Sequence, residues 1–193
     1  PIFTRCSRYL STPMEVAHGG GVFRSMTLEV GSEEDLALKE MNEQVLKAFG
    51  MKFSASHTEF IRDHETGKFI FLETASRVGG AHLAEMVEAA TGINLWREWA
   101  NIETAMARNI EYTLPEVQNM YAGILISLTR QRYTDPMIFD DPEVCWRMDE
   151  EFHVGVIVKS ESQERVKELL DKYAQVVFDG YHASAPVPDK PTN

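Results

Sequence analysis

Two glutamates flanking a short polar turn are the residues of this chain best suited to chemistry. Glu59 lies in the run Ser56-His57-Thr58-Glu59-Phe60-Ile61, and Glu73 ends the run Lys68-Phe69-Ile70-Phe71-Leu72-Glu73. Between them Asp63-His64-Glu65-Thr66-Gly67 is polar and ends in glycine, so the two runs are expected to form an antiparallel hairpin. Alternation puts His57, Glu59 and Ile61 on one face of the first strand, and Phe69, Phe71 and Glu73 on one face of the second. If the turn closes in an even register, both carboxylates share a face. Like charges across a strand pair repel, so two glutamates among Phe and Ile require a cation. Mg2+ suits them, because it takes one or two carboxylates and completes its octahedron with phosphate oxygens and water. The competing reading is a solvated hairpin face, where glutamate is common. The continuation Thr74-Ala75-Ser76-Arg77-Val78-Gly79-Gly80 weighs against it, since an arginine and a Gly-Gly pair that opens a helix follow close behind Glu73.

Two glycine-rich segments add to this. In the loop Pro13-Met14-Glu15-Val16-Ala17-His18-Gly19-Gly20-Gly21, three consecutive glycines suit a backbone approaching a ligand, although such a run is also a common flexible turn. Gly79 and Gly80 offer backbone N–H groups at a helix start, a site for a carboxylate or phosphate oxygen. Close packing of helix on strand would equally use glycine there.

Taken together, Thr58-Glu59-Phe60 and Phe71-Leu72-Glu73-Thr74-Ala75-Ser76-Arg77 resemble the paired metal-binding strands of the ATP-grasp superfamily, over about Pro1 to Glu103. The resemblance implies that Glu59 and Glu73 hold Mg2+ bridging the phosphates of ATP. It makes Arg77 the stabiliser of an acyl phosphate or of the tetrahedral state after it, and Ile61 the apolar contact of the nucleotide base. Many members have asparagine two residues after the second glutamate; Ala75 stands there instead, as in the branch resembling bacterial L-amino-acid ligases, so a second metal would have fewer protein ligands. Glu15-x-x-His18 resembles the acceptor-site element of that branch, with Glu15 holding an ammonium group or metal and His18 near the reacting carboxyl. A solvated glutamate and a hydrogen-bonded loop histidine remain the alternative. Biotin-dependent carboxylases have a glutamate base at the position of Ala81, and alanine cannot accept a proton. The implied function is ATP-dependent ligation, with a carboxylate activated as an acyl phosphate and attacked by an amine. A carboxylase-like enzyme and a non-catalytic nucleotide-binding scaffold are the alternatives.

The elements that must position these residues read as an α+β fold, an antiparallel sheet with packed helices plus a small β-rich module. Residues 1–108 are expected to form the carboxy-terminal lobe of such an enzyme, 109–119 a linker around Pro115, 120–182 the α+β module and 183–193 an irregular tail. In the first unit come strands Ile2–Leu10 and Val22–Leu28, then a helix Glu33–Phe49. That helix is capped by Ser32, stopped by Gly50 and striped with Leu38, Met41, Val45 and Phe49 as core. Helices Leu83–Ala90, ended by Gly92, and Leu95–Arg108, striped with Leu95, Trp99, Ile102 and Met106, follow the hairpin. The second unit reads as strands Ala122–Leu128, Val144–Met148 and His153–Lys159, with a helix from Glu161 to Val177 under a Ser160/Gln163 capping box. His153 reads as a strand histidine, not a ligand.

Composition sets the outer limits. With 30 acidic against 19 basic residues the 193-residue chain has a formal charge of -11, which argues against a phosphate-tracking nucleic-acid surface and against anionic membranes. Cys6 and Cys145 match no zinc or redox spacing and read as packed, reduced thiols of a cytoplasmic protein. No signal-peptide pattern is visible, and the longest apolar run, Ala122–Leu128, is too short to span a bilayer. The chain enters a strand-like run directly from Pro1, which reads as a cut. The expected partners are therefore amino-terminal lobes of the same protein, together with small-molecule carboxylate and amine substrates. A homodimer is compatible with the sequence.

Overall fold

A computed structural model describes residues 1–11 and 21–183. It is an α+β fold with antiparallel sheets: β1 (Ser7–Tyr9), β2 (Phe23–Thr27), α1 (Glu33–Ala48), β3 (His57–Arg62), β4 (Phe69–Ala75), α2 (Leu83–Thr91), α3 (Leu95–Arg108), β5 (Tyr121–Leu128), β6 (Val144–Arg147), β7 (His153–Ser160) and α4 (Gln163–Gly180). A short 3-10 turn, Pro136–Ile138, precedes β6. The chain divides into two compact units, one of Pro1–Cys6 with Leu28–Asn119 and one of Ser7–Thr27 with Met120–Asn193. The division differs from the sequence expectation because strand pairing is non-local: β2 runs antiparallel to β5, with Ser25 opposite Ile124.

In the unit containing β5, the strands pair in the order β1-β2-β5-β7-β6. The amphipathic α4 covers one face with Val166, Leu169, Leu170, Tyr173 and Val177, all buried against Met26, Leu125, Val156 and Val158. Gly123 admits this helix, since a Cβ there would stand 2.5 Å from Leu170 Cδ1. Ser162, not Ser160, caps α4 by accepting from the Arg165 amide, while the Ser160 hydroxyl accepts from Ser162 N. The first strand is shorter than the expected Ile2–Leu10. Cys6 is a buried thiol as expected, whereas Cys145 is exposed on β6, which among the described residues pairs with β7 alone.

In the other unit, α1 starts at Ser32, whose side chain accepts from Asp35 N, and ends with Gly50 at φ +65°. Its burial corrects the expected core stripe. Asp35 and Asn42 are the buried residues, Leu38, Met41 and Val45 are half-buried, and Phe49 is exposed. Asp35 can be buried because Gly31 N and Lys39 Nζ donate to it at 2.9 and 2.8 Å. The α3 stripe is likewise only half-buried and its Met106 is exposed, while Glu98 and Ala105 are the buried positions. Arg97 Nε, Asn101 Nδ2 and Tyr112 Oη donate to Glu98 at 3.0, 3.1 and 2.9 Å. Tyr112 lies in the stretch read as a linker, and Gln118 N also bonds Thr91 O at 2.9 Å, so this stretch is tied to α2 and α3.

Candidate functional site

The turn closes the hairpin as its residues demand. Asp63 accepts from the Thr66 amide and hydroxyl, each at 2.6 Å, and Gly67 takes φ +69°, a left-handed conformation that suits glycine. The strands then pair Thr58 with Thr74 and Glu59 with Glu73. Directly opposed residues of an antiparallel pair project from the same face, so the two carboxylates are neighbours.

One feature of the hairpin departs from simple alternation. The ladder shifts between Glu59 and Phe60, so that Phe60 meets Phe71, Ile61 meets Ile70 and Arg62 meets Phe69, leaving Leu72 as the extra residue of a β-bulge. A single inserted residue moves everything beyond it to the other face. Phe69 and Phe71, expected beside Glu73, therefore join Arg62 and Phe60; the Phe60 and Phe71 rings pack edge to face at 6.1 Å. Ile70 is brought instead to the carboxylate face beside Ile61. Both isoleucines are exposed, at 54% and 52%, which leaves an apolar strip next to two acidic side chains on one surface.

His57, on the same face two residues before Glu59, donates from Nε2 to Glu59 Oε1 at 3.1 Å. Its ring lies on the backbone of Gly79, where a Cβ would stand 2.9 Å from Nδ1 and 3.3 Å from Cε1. A Cβ at Gly79 would thus force the His57 ring to shift, whereas one at Gly80 would meet nothing within 4 Å. The special backbone at the entry to α2 belongs to Ala81 and His82, both left-handed at φ +51° and +54°. Non-glycine residues adopt this conformation at a cost of about 1 kcal/mol or more each. His82, at the N-cap of α2, makes no side-chain cap bond to the helix.

Arg77 is exposed and donates from Nη1 to Val78 O at 3.0 Å. Among the described residues it forms no ion pair with Glu73, so it is not simply the neutralising partner of that carboxylate. The structure therefore brings together Glu59, Glu73, Ile61, Arg77, Gly79 and Gly80 within one hairpin and the loop that leaves it. Glu15 and His18 lie outside the described residues. Sequence reasoning assigned no role to His57, although alternation already put it on the face of Glu59.

As a metal site, the donor set is small. Among the described residues no group of three or more His, Cys, Asp or Glu side chains could hold an ion. An opposed pair of carboxylates fits a hard cation that takes its other ligands from phosphate and water, and does not fit a closed protein cage. No helix among the described residues is long and apolar enough to cross a membrane.

No family model matches the chain, and no curated protein matches it. Solved structures do. An L-amino acid ligase from Bacillus licheniformis superposes with a TM-score of 0.60 at 18% identity, over 86% of this chain and 44% of that one. A phosphoribosylglycinamide synthetase from Anaerococcus prevotii superposes with a TM-score of 0.52 at 15% identity, over 84% of this chain and 44% of that one. Both are ATP-grasp enzymes, and at such identities the likeness establishes the fold. The chain spans less than half the length of either.

Proposed function

We propose that this chain, which shares its fold with ATP-grasp enzymes, supplies the metal-binding hairpin of an ATP-dependent ligase that activates a carboxylate as an acyl phosphate for attack by an amine. The observation that carries this reading is the direct opposition of Glu59 and Glu73. Two like charges facing each other are unfavourable in the free protein and favourable once a divalent cation lies between the carboxylates and a polyphosphate. Mg2+, when bound, neutralises phosphate charge and polarises the transferring group.

The remaining roles follow from the chemistry of each residue. Glu59 and Glu73 would hold the ion, and the exposed strip at Ile61 offers an apolar surface to the adenine. The Arg77 guanidinium, bonded only to a backbone carbonyl among the described residues, is available to the oxyanion that develops as the amine attacks. Gly79 and Gly80 stand ahead of the N-cap His82 and not in the first turn of α2, and their backbone is proposed for carboxylate or phosphate oxygens on the strength of the sequence resemblance. Glu15 and His18 are proposed for the acceptor side on the strength of the sequence resemblance. Ala81 offers no base, which disfavours a carboxylase.

The test is phosphate release from ATP by the protein that contains this chain, with carboxylate and amine supplied separately and together. Release that requires both supports the ligase. Release independent of either substrate, or none under any combination, would overturn it. The 193 residues by themselves are expected to fold without turning over ATP.

A further inference from the structure

We infer that Ser76 is a positioning residue for Arg77, tethered by its hydroxyl to Ser54 so that the loop carrying the guanidinium keeps its place at the end of the hairpin. This rests on the reading of Arg77 given above. The β3–β4 ladder ends at the pair His57 and Ala75. Ser76 is the next residue, so strand pairing does not fix the loop that begins there. A side-chain bond does. The Ser54 and Ser76 hydroxyl oxygens lie 2.6 Å apart, joining positions 22 residues apart in the chain. A hydroxyl has one proton, and Ser54 donates its own to Ala55 O at 2.7 Å. Ser76 is therefore the donor to Ser54 Oγ.

Arg77 is thereby anchored on both sides. Ahead of it stands the Ser76 bond; behind it Val78 is buried at 2% exposure and Gly79 lies against the His57 ring. The guanidinium turns back on the same loop, since Nη1 donates to Val78 O at 3.0 Å. Its position is therefore the position of the loop. Ser76 is exposed, so alanine there leaves no cavity, and the hydroxyl is what the substitution removes. A donor to a developing oxyanion acts only from a fixed place, because a misplaced group forfeits the transition-state bond while the nucleotide still binds. A loosened loop should lower kcat and spare the KM for ATP.

The experiment has two readouts. The first is backbone 15N relaxation of the 193-residue chain, with melting temperatures recorded for every variant. Residues 76–79 should show order parameters of about 0.85 in wild type, as in a rigid strand, and nearer about 0.6 in Ser76→Ala and Ser54→Ala. Ser76→Thr, which keeps the donor, should match wild type. The second readout is substrate-dependent phosphate release by the protein that contains this chain. Ser76→Ala should lower kcat about threefold to tenfold, the shift one ordinary hydrogen bond controls, with the KM for ATP unchanged and Ser76→Thr restoring the rate. Full turnover in Arg77→Ala, or no substrate-dependent turnover in wild type, would remove the role of Arg77 and the inference with it. Loop order or kcat in Ser76→Ala equal to wild type would overturn the tether while leaving the reading of Arg77 intact. So would a fall in melting temperature with loss of order along β3 and β4 as well, because it would assign the bond to hairpin stability.

Discussion

Glu59 and Glu73 stand directly opposite each other across the β3–β4 ladder, and the ladder's one unpaired residue, Leu72, immediately precedes Glu73. The bulge explains how an acidic pair and an apolar strip come to share a face. Without the inserted residue, Ile70 would face away from Ile61.

The opposition has an energetic signature. Opposed like charges on a strand pair cost a few tenths of a kcal/mol up to about 1 kcal/mol, so Glu73→Gln should leave stability unchanged or slightly higher in metal-free buffer. Added Mg2+ with ATP should raise the melting temperature of the wild-type protein and not that of Glu73→Gln. Scanning calorimetry of both proteins with and without the ligands checks this, and stabilisation of the variant equal to wild type would contradict it.

Arg77 separates chemistry from folding. One donor to a developing oxyanion is worth on the order of 3 kcal/mol. Arg77→Ala in the intact enzyme should therefore slow product formation about a hundredfold or more, with ATP affinity nearly unchanged. Arg77→Lys should rescue little, because an ammonium lacks the planar fork of guanidinium. Parallel loss of melting temperature, nucleotide affinity and turnover would instead indicate a structural role for Arg77.

Glu98 makes acid stability depend on one tyrosine. Burial would raise its carboxyl pKa, but hydrogen bonds from Arg97, Asn101 and Tyr112 outweigh burial and hold it below the ordinary value of 4.5. A carboxyl with a depressed folded-state pKa contributes stability above its unfolded pKa and loses it as pH falls through the folded one. Tyr112→Phe removes one bond to a buried charge and should cost about 1–3 kcal/mol near neutrality. The cost should shrink as pH is lowered into the range where Glu98 protonates, which urea unfolding at a series of pH values reads directly. A pH-independent difference would contradict it.

His182 works at a milder pH. Desolvation, with a smaller contribution from Arg130, holds its imidazole below the ordinary 6.5, and Nδ1 lies 2.8 Å from the Ser127 hydroxyl. The folded state favours the neutral ring, so the unfolded chain binds the proton first and stability falls as pH drops from about neutral through the lowered folded pKa. His182→Phe should flatten that part of the profile relative to wild type. Equal slopes between pH 7 and 5 in the two proteins would contradict this.

What was legible in the sequence was local. Ser32 and Gly50 bracket α1, Gly92 ends α2 in a left-handed conformation at φ +76°, and Asp63 to Gly67 close the hairpin, because caps and turns are made by residues within one turn of the backbone they satisfy. The facing of Glu59 and Glu73 could be expected from the strand period and the turn between them. The bulge at Leu72 could not, since alternation read along one strand does not reveal a residue that its partner fails to match. Nor could the pairing of β2 with β5, which joins segments about a hundred residues apart and is settled by which surfaces can be buried together. The same holds for Asp35, Asn42 and Glu98. Their types predict exposure, and only the packing around them decides that they are buried; the partners of Asp35, Gly31 and Lys39, are local, whereas Tyr112 reaches Glu98 from beyond the end of its helix. His57 shows the same division: its face was written in the strand, but its contact with Gly79 depends on where the loop after β4 returns, a path that no single stretch of sequence encodes.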